Sequence, residues 1–261
     1  MPTTATLVQP EPASPEAEQL LTEFSQQEIE VVNMADKFSI IIPVFGEGDI
    51  INGAIAAINS LAQLESLEII VVDGNPNKST IKEIKNAEII KINCSKGRGN
   101  QLNCGAAKAT GEILVFLHAD TRLPVSALEQ ISTALRDNRC VGGAFNLGID
   151  ADSVAFRMIE KMASWRSRLT RIPYGDQAIF IRADYFLLLG GFRDIPIMED
   201  VELMQRIKKR KGKIKIISER VLTSPRRWET EGIVFCTLRN WLLIFLFLLG
   251  VKPAKLSRFY K

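Results

Sequence analysis

At 261 residues, 46% of them apolar, the chain can bury one large core or two modest ones, and by length it is expected to form one globular α/β unit with appendages. The net charge of +3 is unevenly spread, with seven acids and no Lys or Arg in residues 1–36 but fifteen basic residues against three acids in residues 205–261. The C-terminal part is thus read either as a solvated basic face or as facing lipid headgroups or a sugar diphosphate. A nucleic-acid binder is disfavoured, because the basic excess lacks interleaved aromatics and any known module pattern.

Residues 1–16 lack periodicity and are expected to form a disordered tail, with a loose helix over 17–35. The N-terminus is acidic and proline-containing, not basic and apolar like a secretory leader, so the chain reads as cytosolic. The folded domain starts at Phe38. Residues 38–44 form a buried strand ending at Pro43 and Val44, and 50–64 have the apolar spacing of a helix packed beside it. Residues 67–73 are a second strand that ends in Asp73 and meets the turn Gly74-Asn75-Pro76. A short helix over 80–86 and a third strand over 87–92 follow. Strands separated by helices predict right-handed βαβ units and a parallel sheet.

Lys96-Gly97-Arg98-Gly99 opens the next helix, which runs to Ala109. Two glycines around a guanidinium at a helix N-terminus suit an anion, although a tight turn with a surface arginine reads equally well. Neither a phosphate-loop nor a dinucleotide fingerprint is present. Residues 113–117 are wholly apolar and run into His118 and Asp120. Such a run is a strand buried on both faces, and ligands of open α/β sheets bind at its carboxyl end. On an extended segment side chains two apart point the same way, so His118 and Asp120 could share a divalent cation; the alternative is that Asp120 caps the helix that follows.

Beyond this strand, 126–138 read as a helix and 140–149 as a strand opened by Gly142-Gly143, where glycine admits a ligand. An amphipathic helix spans 152–170, a strand 177–182 and a helix 201–211. Glu199 and Asp200 open this last helix. Acids there cap helices, which explains one carboxylate better than two. Residues 233–251 approach the length of a bilayer span, but Arg239 and Asn240 interrupt them and Lys252, Lys255, Arg258 and Lys261 follow. They read as a helix lying in a membrane interface or a homodimer contact in preference to a span, with a core helix as the further alternative. The four cysteines (Cys94, Cys104, Cys140, Cys236) match no redox or metal-finger spacing and are read as free thiols of a reducing compartment.

The ordered set Ile41-Ile42-Pro43-Val44 with Glu47, Val71-Val72-Asp73, Lys96 to Gly99, Phe116 to Asp120, Gly190-Gly191-Phe192 and Glu199-Asp200 resembles the family 2 glycosyltransferases of the GT-A fold. The likeness covers residues 37–230, between an N-terminal extension (1–36) and a C-terminal apolar helix with a basic tail (231–261). It is strongest to a small bacterial branch with Arg-Arg-Trp near the end, here Arg226-Arg227-Trp228. The resemblance implies a nucleotide-diphosphate sugar as donor, with Mn²⁺ or Mg²⁺. Pro43, Val44 and Glu47 would line the nucleotide pocket, Asp73 would bond the base or ribose, and Arg98 would lie near the nucleotide. Asp120 matches the last acid of the family's Asp-x-Asp metal motif, while His118 stands where the first aspartate usually does. Imidazole suits Mn²⁺ better than Mg²⁺. Asp150-Ala151-Asp152 is a literal Asp-x-Asp but follows the wrong strand. Asp200 matches the general base of an inverting transfer; Glu199 would orient the acceptor or cap the helix. Arg226, Arg227 and Trp228 would contact diphosphate and acceptor, the latter lipid-linked or membrane-proximal at the cytosolic face. The rival readings are a sugar nucleotidyltransferase, for which Phe45-Gly46-Glu47-Gly48-Asp49 lacks the required basic residues, and a non-catalytic nucleotide-sugar-binding module.

Overall fold

The computed structural model describes residues 36–61 and 66–260, so the tail and loose helix expected over 1–35 lie outside the described residues. In chain order the elements are β1 (Lys37–Val44), α1 (Gly48–Asn59), β2 (Ser66–Asp73), β3 (Ile90–Asn93), α2 (Arg98–Ala106), β4 (Ile113–Phe116), β5 (Thr121–Arg122), α3 (Ala127–Leu135), β6 (Cys140–Ile149) and α4 (Val154–Thr170). After them come β7 (Ile179–Arg182), α5 (Ala183–Leu189), α6 (Glu199–Lys209), β8 (Lys213–Thr223), α7 (Arg226–Glu231), α8 (Ile233–Leu248) and α9 (Pro253–Leu256).

Strand β1 explains the layering. Phe38, Ile40 and Ile42 belong to one face and Ile41 to the other, and all four are fully buried. A strand apolar on both faces needs a helical layer on each side. Ile51 and Ile55 of α1 with Leu128 and Ile131 of α3 cover the first face. Leu102 of α2, Phe186 of α5, and Leu203 and Met204 of α6 cover the second. Burying each such side chain contributes about 1.5–3 kcal/mol.

Among the described residues the strands form one sheet in the order β3-β2-β1-β4-β7-β6-β8-β5. Strands β1 to β4 pair in parallel, β7 runs antiparallel to both β4 and β6, and β8 runs parallel to β6. The carboxyl ends of β1, β2, β4, β6 and β8 and the amino end of β7 therefore share one rim. Strand order reverses at β1 and β4, where a crevice opens in such sheets.

Several expectations need correction. Residues 80–86 are turns, not a helix: the Thr80 and Ile81 amides donate to the Asp73 carboxylate (2.8 and 3.2 Å), which draws this stretch onto the end of β2. Cys94 and Cys104 form a disulfide, and only Cys140 and Cys236 are free. Gly142 and Gly143 admit neighbouring strands instead of a ligand, since a Cβ at either would collide with the carbonyl oxygen of Phe180 or Lys215. Strand β8, with its register shift opposite Phe145 and Asn146, had no counterpart in the sequence reading.

Helix α8 spans 16 residues, roughly 24 Å at 1.5 Å per residue, against a hydrocarbon core of about 30 Å. Among the described residues no helix is long and apolar enough to cross a membrane. Leu243 of α8 packs with Val201 of α6 and Leu256 of α9, and these helices belong to the same unit as the sheet.

Candidate active site

A cavity of about 550 Å³ opens at the shared rim. Its inner wall carries Arg98, His118, Asp120, Asp176 and Asp200, contributed by α2, the turn after β4, the 3₁₀ turn Gly175–Gln177 and the start of α6. The segment after β4 is a turn and not the extended chain that paired His118 with Asp120 on paper. The Thr121 amide donates to the His118 carbonyl at 3.1 Å, and the turn still brings both side chains to the cavity. Asp120 is left nearly unpartnered, with one 3.5 Å contact from the Thr121 hydroxyl.

Asp200 is held firmly. Its Oδ2 accepts the Gly175 amide at 2.6 Å and its Oδ1 the Val201 amide at 2.7 Å. Gly175 fits between the acid and the imidazole because it has no side chain: a Cβ there would lie 3.2 Å from Asp200 Oδ2 and 3.3 Å from His118 Nε2. Glu199, by contrast, is 1% exposed, stands behind the cavity wall and pairs with Arg98. Two glycines permit that pair. Gly97 takes a φ of +139° ahead of α2, and Gly99 lets the helix meet the 193–199 segment, its missing Cβ lying 2.7 Å from the Arg193 carbonyl oxygen.

Burial drives the His118 pKa down to about 4, assisted by Arg98 and opposed by Asp120 and Asp200. The imidazole is therefore neutral at pH 7 and has a free lone pair. Burial also pushes Asp176 up to about 6, against the pull of Arg166, and one of its oxygens has no hydrogen-bond partner. Arg166 is lowered to about 10 by burial and remains a cation, stacked 3.1 Å from the Tyr174 ring centroid.

The expected nucleotide contacts sit beside this cavity, at the ends of β1 and β2, and do not line it. Val44 and Asp73 are paired in register and buried. The Val44 carbonyl accepts the Gly74 amide and the Gln101 side chain, and the Asp73 carboxylate accepts the Asn75, Thr80 and Ile81 amides. Pro43 is half-buried on the same strand end. Burial pushes the Glu47 carboxyl up; the Phe45 amide pulls it back, and the charges of Asp120, Arg226 and Asp73 all reach it. Arg227 and Trp228 line the cavity and Arg226 does not. Arg227 donates to the Tyr260 hydroxyl at 2.5 Å.

Sequence reasoning missed Asp176, Arg166 and Gln177. Gln177 is fully buried: it accepts from Ser167 Oγ, an Arg166 guanidinium N–H and the Tyr174 amide, and it donates to the Phe145 carbonyl. Those bonds fix the turn carrying Asp176. The one local signal was a carboxylate after glycine ahead of a strand.

Among the described residues no three His, Cys, Asp or Glu side chains gather to hold a cation unaided. A neutral imidazole and a carboxylate nearly free of protein partners still fit one, because small divalent cations are commonly held by one or two carboxylates plus substrate phosphates.

A mostly parallel sheet with helices on both faces and its cleft at the strand-order reversal is the GT-A architecture of nucleotide-sugar transferases. The sequence profile of glycosyl transferase family 2 matches residues 39–189, over half the chain, and the protein belongs to that family and is a glycosyltransferase. Among solved structures, residues 1–349 of TarS from S. aureus superpose with a TM-score of 0.55 at 12% identity, covering 85% of this chain and 69% of that one, a likeness of fold. No curated protein sequence matches significantly.

Proposed function

We propose that the enzyme transfers a sugar, with inversion, from a nucleotide-diphosphate sugar to the hydroxyl of a lipid-linked or membrane-proximal acceptor. It would work in the cytoplasm, touching the membrane peripherally through residues 233–251. The observation that carries the reading is the Asp200 carboxylate, aimed into a cavity it shares with His118 and Asp120 and fixed there by two backbone amides.

Each Asp200 oxygen keeps a second lone pair for an acceptor proton. As that proton moves to Asp200, the acceptor oxygen bonds the anomeric carbon from the face opposite the diphosphate, the bond to the diphosphate breaks and the configuration inverts. His118 and Asp120 would hold Mn²⁺ or Mg²⁺, which supplies neutralisation of the charge gathering on the departing diphosphate. Pro43, Val44, Glu47 and Asp73 shape the strand ends on which the nucleotide rests. Arg98, kept in place by Glu199, and Arg226, Arg227 and Trp228 flank the diphosphate and acceptor. Glu199 acts as a positioning residue.

The test pairs binding with turnover. Nucleoside diphosphates with Mn²⁺ should raise the melting temperature of both the wild type and Asp200→Asn, while release of nucleotide from a nucleotide sugar should fall about 10²–10⁴-fold in the variant. Failure of UDP, GDP and dTDP to bind, with or without Mn²⁺, would overturn the donor-site assignment.

A further inference from the structure

The cavity containing Asp200 has two unlike halves. The inner half is ionic. The outer half is built from Met162 and Trp165 of α4 and Trp241, Ile244, Phe245 and Leu248 of α8. Trp165, Trp241 and Phe245 remain 67%, 43% and 57% exposed, so the apolar half opens to solvent. Both helices carry further exposed apolar side chains at helical spacing from these, Met158 and Leu169 on α4 and Leu238 and Leu242 on α8, with Leu249 just past the end of α8. A contiguous exposed apolar patch continuous with a reacting acid marks a ligand site. The base and ribose of the nucleotide are not the occupant of this outer half, because the strand-end residues at β1 and β2 on which they would rest do not line the cavity.

We propose that the outer half binds the hydrocarbon chain of the acceptor, a single-chain amphiphilic alcohol whose hydroxyl reaches Asp200 while its chain lies between α4 and α8. The role of the hydroxyl rests on the transferase reading above. A neutral head fits better than a phosphate monoester, because the cations of the inner half are shared with protein acids and, in the transferase reading above, with the donor diphosphate. Arg98 pairs with Glu199, Arg227 with Glu231 and Tyr260, and Arg166 lies in the field of Asp176. A phosphate would add negative charge beside Asp120, Asp176 and Asp200, whereas a hydroxyl needs the base that Asp200 supplies.

All three tryptophans of the chain, Trp165, Trp228 and Trp241, line this cavity, so intrinsic fluorescence reports on it alone. Titration with ω-bromo-1-alkanols of increasing length should give saturable quenching, with Kd falling about fourfold per methylene until the chain outgrows the cavity. Leu248→Asn on α8 and, on the other wall, Met162→Gln should each raise Kd about tenfold, and the phosphate esters of the same alcohols should bind more weakly. No donor is needed, so loss of nucleotide-sugar turnover would leave this result intact. Quenching that is linear in quencher, independent of chain length or unchanged in both variants would overturn the proposal. So would a dimer in sedimentation whose tryptophans are shielded, or a fluorescence response to lipid vesicles with none to soluble alcohols.

Discussion

His118 is the chain's one histidine, so its imidazole gives a single C2–H resonance that needs no assignment. The group protonates near pH 4 in the fold and near 6.5 when unfolded. Between those values the unfolded chain binds the proton and the folded one does not. The contribution of this group to stability is therefore level above about pH 6.5, falls as pH drops towards 4 and is level again below. At about 1.4 kcal/mol per pH unit the loss is about 3 kcal/mol. Proton NMR from pH 3 to 8 should place the midpoint near 4, and Arg98→Gln should move it upward by removing the cation that helps to depress it. Urea unfolding of the wild type and His118→Gln at pH 7 and pH 4 isolates the imidazole from the carboxylates, and their stability difference should change by this amount. A midpoint at about 6 or above, or a stability difference that ignores pH, would refute the account of a neutral, cation-ready imidazole.

Other substitutions test the remaining parts of the rim. Asp120→Ala should abolish the Mn²⁺-dependent part of the nucleotide-induced melting shift while leaving the fold intact, read by thermal shift with and without metal. Asp176, raised by burial, contributes stability below its unfolded pKa near 3.8 and loses it as pH rises through about 6. Asp176→Asn should then gain on the wild type by about 2–3 kcal/mol between pH 4 and pH 8 in denaturant titrations. Glu199→Gln leaves Arg98 without its partner, and because that guanidinium is a third exposed the expected cost is about 2 kcal/mol, below that of a fully buried pair. Its turnover and its nucleotide affinity should both fall, because the guanidinium that Glu199 holds is the one placed beside the diphosphate. Gly99→Ala drives a methyl against the Arg193 carbonyl and should cost about 1–3 kcal/mol in urea unfolding.

The strands β1, β2 and β4 were legible because a strand covered on both faces shows an unbroken apolar run. β8 was not read, although Lys213-Ile214-Lys215-Ile216 alternates as a strand does: Ser218, Glu219 and Arg220 interrupt the pattern where a two-residue slip against β6 falls, so the alternation is too short to mark the whole strand. His118 and Asp120 could be paired by eye, though the geometry that joins them is a turn. Asp200 stood out as one of two adjacent acids where a cap needs one, and its neighbour proved to be the partner of an arginine one hundred and one residues earlier. Asp176 gave no comparable sign, because its position depends on Gln177 reaching across to α4 and β6. The disulfide was equally hidden, since it depends on the packing of α2 against the end of β3 and on no motif.

That bond closes around the segment delivering Arg98, with Cys94 before it and Cys104 one turn and a half beyond. The oxidation state of the solution is thereby a variable of every assay. Samples kept with and without a thiol reductant are different molecules at the rim, and the ratio of their turnover measures how much a covalent tether adds to the grip on one guanidinium.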